Sequence, residues 1–166
     1  MQITKVIPQA GVTAEEKRKA QSGRSSKYKI KVQPGARLIA PPTFPQDEKD
    51  YGDPVNLAYP LIPLPRLRNA MARFGQFAEE AYAQDKPGMT VVADRIVTRA
   101  LESGIVPDEN SVVASSVSGP VAAKLKQAKQ KMEKTEKSTM ARIVEGLSDS
   151  LCLLADEQME KLLGKG

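Results

Sequence analysis

Apolar positions recur at intervals of three and four in two stretches near the middle of the chain. After Pro65 the first stripe comprises Leu67, Ala70, Met71, Phe74, Phe77, Ala78, Ala81 and Tyr82, one face of a helix with 3.6 residues per turn. Proline suits the first helical position because the N–H it lacks would have been unpaired there. Gly75 interrupts the stripe at a cost of roughly 1 kcal/mol, and close packing against a second helix is the expected reason. Asp85-Lys86-Pro87-Gly88 carries turn chemistry. Beyond it Met89, Val92, Ala93, Ile96, Val97, Ala100 and Leu101 form a second stripe, ended by Gly104 and Pro107. Two such stripes joined by a short turn predict an antiparallel helical hairpin. A hairpin that small needs a third element to complete a core, and the strand-like residues 55–62 are the local candidate.

The flanks are patterned differently. Thr13-Ala14-Glu15-Glu16 is a capping box and predicts a short helix to about Gln21, followed by a flexible break over 21–26. In residues 27–32 three lysines alternate with Tyr28, Ile30 and Val32, which predicts a β-strand. The lysines there suit a protected sheet edge or a phosphate-facing role. Tyr28, Ile30 and Val32 are alternatively interaction residues that add a strand to a neighbour's sheet. Residues 41–54 hold four prolines and five charges and are expected to form an extended linker. Residues 105–119 predict a second linker with a short helix after Asp108. In residues 120–166, Val121, Leu125, Ala128 and Met132 follow heptad spacing, as do Met140, Val144, Leu147, Leu151 and Leu154. The phase slips by one residue across 135–139, where a break capped by Ser138 is expected. The second run either packs on the hairpin as its third helix or makes an intermolecular contact. The resulting fold class is mainly α: a helical-hairpin core (53–104), a basic extended N-terminal arm with one short β-strand (1–52), a linker (105–119) and a C-terminal helical arm (120–166).

The hairpin also carries a resemblance. Tyr59-Pro60, then Arg68-Asn69-Ala70 with Ala72, Arg73 and Gln76, and a second helix rich in Arg and Ala resemble a small helical module of bacteriophage and prophage head-associated proteins. The resemblance covers residues 53–104, apart from inserted residues 61–65 and a longer turn. It implies a phage context and nothing about catalysis.

Charge and chemistry narrow the function. The net charge is +5, and residues 1–40 hold nine Lys or Arg against two acids. Lys124, Lys126, Lys129, Lys131 and Lys134 form a second basic run, a candidate patch for nucleic-acid phosphates. Tyr28 alone supplies an aromatic ring among the lysines for base stacking. Histidine is absent and Cys152 is the single cysteine, which removes Ser-His-Asp and Cys-His hydrolysis, imidazole acid–base work and multi-cysteine metal sites. No phosphate-binding glycine loop occurs. These observations lead us to expect no enzyme activity, no catalytic or metal-binding residues, no cofactor and no small-molecule substrate. No signal segment or membrane span is read from the sequence, so virion or host cytoplasm is the expected location. The leading expectation is a non-enzymatic structural protein, of minor-capsid or cement type, binding other virion proteins or itself through its arms. The alternative is a non-specific nucleic-acid binder using the basic arm and the lysine run.

Overall fold

A computed structural model describes residues 12–164 and shows a mainly α fold with one two-stranded antiparallel sheet. The chain separates after Lys126 into two units, not at the boundaries expected from composition. In the first unit, helix α1 (Ala14–Tyr28) starts at the expected capping box. Thr13 Oγ1 accepts the Glu16 N–H while the Glu16 carboxylate accepts the Thr13 N–H. The helix does not stop near Gln21, nor is 21–26 a break. Its inner face buries polar Gln21 and Arg24, and Gln21 Nε2 donates to the Val55 carbonyl. Lys29, in the left-handed region at φ 56°, closes the helix by donating to the Ser25 carbonyl.

The strand expected over residues 27–32 is therefore absent. Tyr28 is helical, Ile30 is fully buried in the core, and Val32 is exposed without strand partners. Strand β1 (Tyr51–Asp53) instead pairs with β2 (Ala58–Pro60), Tyr51 opposite Pro60 and Asp53 opposite Ala58. Of the strand-like residues 55–62, only 58–60 form a strand. A Cβ on Gly52 would lie 2.8 Å from Ile96 Cγ1, so only glycine lets this hairpin sit directly on the helix behind it. The supposed linker before β1 is folded too. It forms a 3-10 turn (Glu48–Asp50), with Phe44 packed against buried Ala40, Tyr51 and Leu57.

Helices α2 (Leu64–Ala81) and α3 (Lys86–Glu102) form the expected hairpin. Leu67, Ala70, Phe74, Ala78 and Tyr82 are buried from the first stripe, and every member of the second except half-buried Leu101. Phe77 and Ala81 fall outside the core. Two glycines behave differently from expectation. Nothing lies within 4 Å of a Cβ built on Gly75, so close packing does not account for it. Asp85-Lys86-Pro87-Gly88 is a helix start rather than a free turn: Asp85 is the N-cap and accepts from the Gly88 N–H. A Cβ on Gly88 would collide with the Asp85 carboxylate at 2.1 Å.

The missing third element is the segment expected to be a linker. Ser111 caps the short helix α4 (Val112–Ser115), which buries Val113 and Ala114 against α2 and α3. Helix α5 (Gly119–Leu163) begins at the expected Gly119-Pro120 step, and Leu125 in its first turns joins the same core.

The second unit, from Gln127, is the remainder of α5, continuous through the expected break at 135–139. Thr135 and Thr139 donate their hydroxyls to the carbonyls of Lys131 and Thr135, four residues back. The phase slip thus moves the apolar stripe around an unbroken helix.

Candidate interaction sites

The apolar stripe of the second unit is bare at the residues whose side chains are described. Met140, Val144 and Leu147 are 61%, 62% and 60% exposed, and Met132, Ile143 and Met159 are exposed as well. The side chains of Leu151 and Leu154, which continue the stripe in sequence, lie outside the described residues. At heptad spacing Val144 takes an a position and Met140 and Leu147 take d positions, where a facing helix inserts its own apolar side chains. The flanking e and g positions are Ala141, Ile143, Ser148 and Ser150. None is charged, so two copies of the stripe can meet without repulsion. Arg142 and Glu145 are exposed at outer positions.

The basic run is not a patch. At about 100° per residue, Lys124, Lys126, Lys129, Lys131 and Lys134 are distributed around the helix, so no single face collects them. Lys124, Lys126, Lys131 and Lys134 are exposed and Lys129 is half-buried. The run also spans the unit boundary after Lys126.

The proposed strand-addition residues have no free edge to offer. Around Ile30 the main chain belongs to no helix or strand, and side chains take its polar groups. Asp85 Oδ2 accepts the Lys31 N–H at 2.7 Å, Asn56 Oδ1 accepts the Gln33 N–H at 2.8 Å, and Asn56 Nδ2 donates to the Lys31 carbonyl at 3.1 Å. Tyr28 donates to the Glu48 carboxylate, which also holds Lys27, and the Arg95 guanidinium lies 4.9 Å from the Tyr28 ring centre. The hydrogen bond to Glu48 raises the Lys27 ammonium above its usual value. Arg95 also donates to the carbonyls of Tyr51, Glu48 and Lys49. These residues hold the fold together.

Sequence reasoning missed the centre of this network, Asp53. Its carboxylate is fully buried. Oδ1 accepts the N–H groups of Val55 and Asn56, each at 3.0 Å, while Oδ2 accepts Asn56 Nδ2 at 2.7 Å and the Tyr82 hydroxyl. Burial raises Asp53 above the usual carboxylate range, against the four donors that favour its ionised form. The Tyr82 hydroxyl is raised strongly, by burial first and then by the neighbouring Asp53 charge. No group of three or more metal-binding side chains occurs among the described residues.

Beside Asp53 and Tyr82 opens a cavity of about 520 Å³ that sequence reasoning also missed. Arg37, Arg66 and Arg73 line it together with Phe44, Tyr59 and Phe77. Arg66 and Arg37 lie 4.3 and 5.3 Å from the Phe44 ring centre, and Arg73 lies 5.6 Å from that of Phe77.

No protein-family profile, curated protein or solved structure matches the chain. No helix among the described residues is long and apolar enough to cross a membrane.

Proposed function

We propose that this is a non-enzymatic assembly protein of a bacteriophage or prophage head, acting in the virion or in the host cytoplasm. In this reading the second unit pairs with the same helix of another copy, and the folded first unit is carried into a minor-capsid or cement-type assembly. One observation carries the pairing: a helix with a bare a/d stripe flanked by uncharged positions. Gly146 weakens that helix by roughly 1 kcal/mol against alanine, so burying the stripe is what stabilises it. The head context rests on the resemblance of residues 53–104.

Sedimentation of the full-length chain over a concentration series, beside Met140→Ser/Leu147→Ser, tests the pairing. The parent should self-associate, and the variant should sediment as a monomer while retaining a cooperative unfolding transition from the first unit. A parent that stays monomeric at every concentration removes the pairing. A variant that loses the transition would instead place the stripe in a core. Genes for portal, protease and major capsid proteins beside this one are the expected sign of the head context.

A further inference from the structure

The arginine-lined cavity of the first unit is independent of the pairing helix and asks for a ligand of its own. Arg37, Arg66 and Arg73 bring three positive charges to one 520 Å³ space. Asp53 is the one carboxylate in its lining, and that carboxylate already accepts four hydrogen bonds. None of the three arginines forms an ion pair among the described residues. Arg66 is the most constrained. One guanidinium nitrogen donates to the Thr43 carbonyl at 2.7 Å, while Nη1 is buried and has no acceptor. A buried charged donor without a partner is costly, so this guanidinium keeps donor capacity that the protein itself does not use.

The backbone of the wall points the same way. Leu57 and Tyr59 both line the cavity, and both hold left-handed conformations at φ 51° and 55°. Such conformations are strained for non-glycine residues and collect at ligand sites. Phe77, 48% exposed, presents an aromatic ring at the same cavity. The volume lies within the roughly 300–1,000 Å³ of small-molecule sites.

We infer that this cavity binds a nucleotide 5′-phosphate, a phosphate monoester of a sugar that carries a planar base, with the phosphate among Arg37, Arg66 and Arg73 and the base against the aromatic wall. A phosphate monoester carries close to two negative charges and three acceptor oxygens, which matches three guanidinium groups better than one carboxylate does. Guanidinium groups bind phosphate through paired N–H donors, and aromatic rings stack on any base. The phosphate can come from a free mononucleotide or from the 5′ end of a strand.

Calorimetric titration of the full-length protein separates the outcomes, using inorganic phosphate, adenosine, adenosine 5′-monophosphate, and a short oligonucleotide with and without a 5′-phosphate. The monophosphate should bind saturably at one per chain, more tightly than inorganic phosphate, and adenosine should not bind. Arg66→Gln and Arg73→Gln should each weaken binding at least tenfold. Arg73 is exposed, so its variant should keep the parental melting transition and tests the site even if Arg66→Gln fails to fold. Tighter binding of the 5′-phosphorylated oligonucleotide than of the monophosphate would assign the ligand to strand ends, and the reverse to free nucleotides. Absence of saturable binding by every phosphorylated probe, affinity unchanged in Arg73→Gln, or equal binding of the oligonucleotide without its 5′-phosphate would each overturn the inference.

Discussion

Replacing Tyr82 with phenylalanine isolates the interaction at the centre of the first unit. Tyr82 follows α2 and is nearly fully buried, and its hydroxyl is one of four donors to the Asp53 carboxylate. The phenylalanine ring keeps the same apolar contacts, so little buried area changes. What disappears is one hydrogen bond to a buried, charged group, worth about 1.5–3 kcal/mol. The remaining three donors still hold Asp53, which places the expected loss near 2 kcal/mol at neutral pH. The effect should depend on pH in a definite direction. Burial raises folded Asp53 above its ordinary value of 3.8. The folded state therefore keeps a proton that the unfolded state has released, and this contribution to stability is lost as pH rises through the folded value. Removing a donor that favours the carboxylate raises that value further. The difference between parent and variant should be full above both folded values and should fade toward acid pH, where Asp53 is protonated in both folded and unfolded chains. Urea unfolding followed by far-UV circular dichroism at a series of pH values reads this directly. A loss below about 0.5 kcal/mol at neutral pH, or one that is the same at every pH, would refute the assignment of Tyr82 as a donor to an ionised Asp53.

Two further substitutions test the packing around that centre. Gly75→Ala should raise stability by about 0.5–1 kcal/mol, because the position is exposed, helical and open around a new Cβ; thermal melts of the two proteins are the check, and destabilisation would mean the glycine is needed by a contact. Arg95→Ala should cost about 2–4 kcal/mol, since it strips donors from the part-buried carbonyls of Tyr51 and Glu48 and from the exposed carbonyl of Lys49; the same urea titration measures it, and a loss below 1 kcal/mol would show that water replaces the guanidinium.

The hairpin was legible because its stability comes from apolar side chains, and those declare themselves by spacing. Val92, Ala93, Ile96, Val97 and Ala100 are all fully buried, as a 3.6-residue period requires. The second half of α1 was illegible for the opposite reason. It turns Gln21 and Arg24 inward, and a helix that buries polar side chains shows almost no apolar stripe. Alternation over residues 27–32 misled because one buried position, Ile30, was enough to produce it. The hydrogen bonds that a strand would have found in a sheet are met there by Asp85 and Asn56, distant in sequence. No local pattern encodes such pairings. The short helix expected after Asp108 is present, but its part in the core was not legible, because a four-residue helix buries only Val113 and Ala114, too few positions to establish a period.

The arginine cavity lies between these cases, since half of it was available in the sequence. Arg66, Asn69, Ala70, Arg73 and Phe77 sit at spacings of three and four along α2, and so share a face beside the buried stripe. Cationic and aromatic residues share that face, and its one carboxylate, Glu80, lies at its end, a turn beyond Phe77. The pattern could have marked a candidate anion site at once. What it could not supply was the opposite wall, where Arg37, Phe44, Leu57 and Tyr59 arrive from the loops and the short sheet. Those loops are held by Asp53, Asn56 and Asp85 through bonds to main-chain groups. The polar network that hid the loops from a pattern-based reading is thus the same one that builds the cavity. Weakening it through Tyr82 should therefore loosen the wall of the cavity as well as the core.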